Sequence, residues 1–169
     1  MGFVAGLFAG LAALSGCIEA AQPILTDVQP LIGARPHLQF YVLRDGAARE
    51  PTAETFAWRG DRYVPVGGDA HDIGPFSLHA FEGGDLLVQS LRPGKAVEFA
   101  VARKLADATF LLIAVDETDA DEVTRAKFCN KEAAVACRVA TRDAVVAFAR
   151  ATAAKPHTGG GLAVLVADR

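Results

Sequence analysis

The chain has 169 residues, 17 basic and 20 acidic, with a formal net charge of −3 and 51% hydrophobic residues. That length suits one domain whose core need not depend on disulfides. The charge excludes the basic field that draws nucleic acid, and no acidic tract marks a disordered tail.

Phe3 to Leu14 is an uninterrupted run of apolar and small residues. A spanning helix needs about 20 apolar residues, so the run is short for a transmembrane anchor. It matches the apolar centre of a secretory signal peptide. No Lys or Arg precedes it, a departure from the basic start that such peptides carry. Leu14-Ser15-Gly16-Cys17 closes the run with two small residues and one thiol. This arrangement resembles the lipobox of bacterial lipoproteins. The resemblance implies a signal peptide over 1–16, cleavage between Gly16 and Cys17, and lipidation of the Cys17 thiol by a diacylglyceryl group. It also implies acylation of the new amine by a long chain such as palmitate. Each buried CH₂ contributes about 0.8 kcal/mol, so two or three chains anchor far more firmly than one. Ile18 and Glu19 follow, without the aspartate that marks inner-membrane retention in some enteric bacteria. The implied address is the cell envelope, facing the periplasm, with the outer membrane favoured. Two rival readings stand beside it: a leader cut elsewhere, releasing a soluble exported protein, and a buried N-terminal helix or uncleaved anchor.

Three cysteines are an odd number. If Cys17 carries lipid, Cys129 and Cys137 remain, and an oxidising compartment would join them. In one continuous helix these positions would lie about 12 Å apart along the axis. Disulfide Cα atoms lie within about 7 Å, so the bond requires a turn inside 130–136. Two unjoined buried thiols, or a metal or redox pair, are the other readings. The spacing is not CxxC and no histidine is near in sequence.

Residues 17–36 contain Pro23, Pro30 and Pro36 and no clear period, and read as a membrane tether. Extended, it would reach about 60 Å. Ile24, Leu25, Val28, Leu31 and Ile32 are candidates to dock part of it. From His37 the pattern alternates: Leu38, Phe40 and Val42 share one face of a strand. Thr55–Arg59 and Arg62–Val66 flank Gly60-Asp61, a hairpin signal. Phe76, Leu78 and Ala80 alternate with Ser77 and His79. Glu82–Asp85 turns the chain into Leu86–Leu91, and Pro93-Gly94 fits a type II turn. Val97, Phe99 and Val101 alternate, and Thr109–Val115 reads as a central strand. After the acidic turn Asp116–Asp121, a short helix is expected from Ala120 to Phe128. Thr141 is a good N-cap for a second helix burying Val145, Phe148, Ala149 and Thr152, and Lys155-Pro156 ends it. Gly159–Gly161 leads into a last strand, Leu162–Val166.

Most candidate chemistry has a plainer explanation. Asp69, His71 and Asp72 with His79 are metal-competent or acid–base groups, but Gly67–Gly74 reads as a polar loop. Gly159–Gly161 leads to a strand and lacks the following lysine of a phosphate loop. Arg59-Gly60-Asp61 spells an adhesion tripeptide at a turn where Gly and Asp already have structural reasons. Trp58 and Tyr63 either pair across that turn or form an exposed ligand platform. Ser77 and His79 share the polar side of one strand, with no third member or oxyanion hole evident.

The expected fold class is therefore α+β: an antiparallel β-meander sheet over 37–169, with one or two C-terminal helices packed on one face. No catalytic set, metal or cofactor is assigned. The expected function is a lipid-anchored envelope scaffold, assembly factor or binding module, whose partners are the membrane and an envelope protein. The alternative is a small periplasmic enzyme, such as a hydrolase, using Asp69, His71, Asp72 and His79.

Overall fold

A computed structural model describes residues 17–44, 47–48, 52–67, 73–129, 136–157 and 160–166. Residues 1–16, read as a signal peptide, and Asp69, His71, Asp72, Gly159 and positions 130–135 lie outside the described residues. In chain order the strands are β1 (Ile18–Ala20), β2 (His37–Arg44), β3 (Ala47–Ala48), β4 (Thr52–Trp58), β5 (Tyr63–Pro65) and β6 (Phe76–Ala80). They continue with β7 (Leu86–Ser90), β8 (Val97–Ala106), β9 (Thr109–Ala114), β10 (Cys137–Arg138) and β11 (Gly160–Val166). The helices are α1 (Glu122–Phe128) and α2 (Arg142–Ala153).

Alternation along the strands makes two-faced ribbons, and their pairing decides what those faces enclose. From β4 to β9 each strand pairs with the next, as a meander should. The last strand then changes the architecture. β11 lies antiparallel to β2 on one side and to β9 on the other, and β2 pairs with β4. The ring β2–β4–β5–β6–β7–β8–β9–β11 is closed, an antiparallel barrel of 8 strands with two short helices. This corrects the α+β expectation of an open sheet with one covered face. The expected strand at Leu162–Val166 does return to the sheet, but it seals it.

Closure gives the protein two apolar regions. Leu38, Phe40, Phe56, Leu78, Val88 and Ala100 fill the barrel interior. Their neighbours in sequence, such as Leu87, Phe99 and Val101, face outward and pack with Val145, Phe148 and Ala149 of α2. Each such large side chain, fully buried, contributes roughly 1.5–3 kcal/mol. Thr141 caps α2, its hydroxyl accepting from Ala144 N–H at 3.3 Å. Asp121 caps α1, accepting from Thr124 N–H at 2.7 Å, while Arg125 and Lys127 sit in its last turn as the helix dipole favours.

The ring is thinnest between β5 and β6, where the ladder holds only Tyr63 opposite Phe76. Aromatic packing reinforces that seam. Tyr63 stacks on Phe76 at 5.2 Å, and Phe56 meets Phe76 edge-on at 5.1 Å. Two glycines are demanded by geometry. Gly94 has φ 70°, the left-handed value that a type II turn requires after Pro93. Gly160 has φ 136°, and a Cβ there would sit 2.5 Å from the Leu112 carbonyl oxygen.

Residues 17–36, read as a tether, are bound to the barrel at three places. β1 pairs with β8 and carries β10 in parallel, burying Ile18 and Ala20. Residues 22–28 cross the outer wall of β6 and β7, where Leu25 is buried. Finally, the Ala34 and Pro36 carbonyls accept from Trp58 and Phe56 N–H, and Ile32 turns in against the barrel interior. No regular period announces this docking, because prolines and side-chain hydrogen bonds replace a ladder.

Candidate functional site

The barrel interior is the first place to look for a ligand. An eight-stranded barrel is either filled by its own side chains or left with room for one small ligand. Here an apolar void of about 40 Å³ remains, lined by residues including Leu38, Phe40, Phe76, Val88 and Phe110. Pockets for organic ligands run to roughly 300–1,000 Å³, so this interior is a packed core. Glu54, unremarked in the sequence, points into it opposite Leu38, and its Oε1 accepts from Ile73 N–H at 3.2 Å. The strand reading began at Thr55. Extending the alternation of Phe56 back by two would have placed Glu54 inside. Tyr63 is fully buried, so Trp58 and Tyr63 pair at 5.1 Å without forming an exposed platform. Asp61, the acid of the adhesion tripeptide, accepts from Arg62 Nε at 2.8 Å in the turn itself.

The second place is the outer wall of β6 and β7. Alternation puts Ser77 and His79 of β6 and Gln89 of β7 on the outside, yet each is only 1% exposed. The segment 22–28 covers them. Ser77 Oγ lies 2.9 Å from His79 Nε2, and His79 Nδ1 lies 3.3 Å from the Asp27 carbonyl and 3.7 Å from its carboxylate. With a carbonyl opposite, Nδ1 carries the proton and donates, while Nε2 accepts from the Ser77 hydroxyl. Burial holds His79 below the usual imidazole range, and Arg142 adds to this while Asp27 opposes it. Gln89 completes the network. Its Oε1 accepts from Ile24 N–H at 2.8 Å and Leu25 N–H at 3.0 Å. Its Nε2 donates to the Leu25 carbonyl at 3.2 Å and to Ser77 Oγ at 3.1 Å. Asp27 is paired in turn with Arg142, at 3.0 Å.

Serine, histidine and aspartate in contact suggest a hydrolytic relay, but the topology opposes it. A nucleophile needs a path to substrate and donors for the oxyanion. Ser77 has no such path while 22–28 covers it, and Asp27 rides on the cover. Uncovering the serine therefore removes the acid. The arrangement is a latch that satisfies every polar group under the segment. Of the four residues of the enzyme alternative, only His79 is described, and it belongs to this latch.

The third place surrounds Cys17. Its backbone bridges Asp116, and Ile18 N–H donates to the Val115 carbonyl at 3.1 Å. Cys17 is half-buried, and burial, then the carboxylates of Asp116, Glu98 and Glu19, push its thiol up to about 11. Glu19 and Glu98 face each other across β1 and β8, and burial raises Glu98 above the ordinary carboxylate range. Nearby, Cys129 and Cys137 form a disulfide with Cα atoms 5.0 Å apart. The required turn falls within residues outside the description. Glu117 approaches the pair, with Oε2 3.6 Å from Cys129 Sγ. Joined sulfurs carry no thiolate charge and offer a metal little, so this contact is packing. Among the described residues no helix is long and apolar enough to cross a membrane.

Comparison with known protein families, with characterised proteins and with solved structures gives no match.

Proposed function

We propose that the chain is a membrane-anchored envelope lipoprotein whose barrel serves as a non-enzymatic binding module, held on the periplasmic face of the outer membrane. The observation that carries this reading is Leu14-Ser15-Gly16-Cys17 closing an apolar run. One further feature supports it. A disulfide between Cys129 and Cys137 suits an oxidising compartment. The barrel interior has no room for an organic ligand, which directs a binding role to the outer surface.

Metabolic labelling with a palmitate analogue tests the reading. The wild-type chain takes up label and Cys17→Ala does not. Absence of label from both, or its presence in both, overturns lipidation at Cys17.

A further inference from the structure

We propose that the outer wall of β6 and β7 is a groove for an extended peptide, and that residues 22–28 are its resident occupant in cis. This rests on the binding-module reading and names the class of partner.

Side chains, rather than a neighbouring strand, recognise this segment's backbone. The Gln89 amide grips both polar groups of Leu25 and the N–H of Ile24, as an adjoining strand would. The His79 ring takes the Asp27 carbonyl. Backbone recognition of this kind accepts any extended chain, and specificity then comes from side-chain slots. Two slots are visible. Leu25 is 3% exposed, packed in the outer apolar cluster with Leu87. Asp27 meets Arg142 at 3.0 Å. Thr26 between them is exposed and carries no information. The groove thus reads a leucine, any residue, and an acid.

Of residues 22–28 only Leu25 is buried, and Gln22, Pro23, Thr26 and Asp27 are exposed. None of the segment belongs to a ring strand, so it can lift without opening the barrel. A leucine-bearing acidic peptide of a partner protein would replace the same bonds one for one.

The experiment uses the full-length chain in detergent and a fluorescein-labelled synthetic peptide of residues Gln22–Gln29, read by anisotropy. In the wild type the resident segment competes. The Leu25→Ala, Asp27→Ala double variant empties both slots and binds the peptide at least about tenfold tighter than wild type, equivalent to about 1.4 kcal/mol. Adding Gln89→Ala removes that gain, and a peptide with alanine in place of its leucine does not bind. A folded double variant that binds no tighter than wild type overturns the groove, as does binding that survives Gln89→Ala. Should the double variant not fold, Asp27→Ala alone carries the same comparison, because its half-exposed carboxylate supplies only the ion pair to Arg142 and a 3.7 Å approach to His79. Label on Cys17 is unaffected by any of these changes. A silent peptide assay with labelled Cys17 therefore removes the groove and leaves the lipoprotein reading standing.

Discussion

Gln89→Leu is the sharpest test of the latch. The substitution nearly conserves volume but deletes both polar atoms, and so removes the bonds to Ile24 N–H, Leu25 N–H, the Leu25 carbonyl and Ser77 Oγ. Ser77 keeps His79, and water can reach the half-buried Ile24. The full penalty therefore falls on the two backbone groups of Leu25. A buried polar group left without a partner costs about 1–3 kcal/mol, and burial of the leucine side chain returns part of it. The expected net loss is about 2–4 kcal/mol, large against the roughly 5–15 kcal/mol of a typical domain. A ceiling also exists, because the segment can lift and rehydrate once the penalty exceeds its own release energy. Urea denaturation reads the global loss, and hydrogen exchange at the Leu25 amide reads the release. A Gln89→Leu protein within about 0.5 kcal/mol of wild type, with unchanged exchange at Leu25, would refute the latch, since that is the ordinary scatter of surface substitutions.

Three further outcomes follow from the same geometry. His79 is held below its ordinary value of 6.5, so the folded protein binds fewer protons than the unfolded chain. Stability is then complete above about pH 6.5 and falls as pH drops toward the lower folded value, a slope that His79→Gln should flatten in urea titrations carried below about pH 6.5. Glu98, raised by burial and facing Glu19, destabilises the fold when charged. Glu98→Gln should therefore raise the urea midpoint at neutral pH, with the gain disappearing near about pH 4, and a loss at neutral pH would contradict this. Replacing Cys129 and Cys137 together by serine removes a loop closure across 8 positions, worth about 2.5 kcal/mol in the chain-entropy account. A change below about 0.5 kcal/mol in a thermal or urea melt would show that the bridge constrains little.

Local signals in this sequence were legible and long-range ones were not. Gly60-Asp61 marks a hairpin because the turn chemistry sits within four residues, and β4 and β5 flank it. Thr141 marks a helix start because a cap is a contact between near neighbours. Barrel closure depends instead on β11 choosing both β2 and β9, strands far away in the chain. Alternation states which residues share a face and is silent about whether that face curls shut. The same limit explains Ser77 and His79. Their alternation with Phe76 and Leu78 says only that they are outside the barrel. What covers the outside is a segment with no period of its own, so a buried network looked like a solvated face.

The docking of residues 17–36 changes what an anchor at Cys17 would do. A free tether of that length would let the domain range about 60 Å from the bilayer. Yet Ile18, the next residue, is 0% exposed, and Cys17 itself bridges Asp116. With lipid on the thiol, the slack between bilayer and barrel shrinks to a single side chain. Glu98, already raised by burial, would then lie beside the headgroups, where anionic lipid raises a carboxylate further by like charge. The groove formed by Ser77, His79 and Gln89 belongs to the same rigid barrel, connected to β1 through β7 and β8. If Cys17 carries lipid as proposed, the groove would be held close to the membrane surface, within reach of partners that are themselves anchored there. Inserting a flexible linker between Cys17 and Ile18 would restore range, but it would also pull β1 from β8 unless Ile18 keeps its seat. On the proposed anchoring, seat and anchor would be one structural unit, and a partner would meet the barrel in the one orientation that this unit allows.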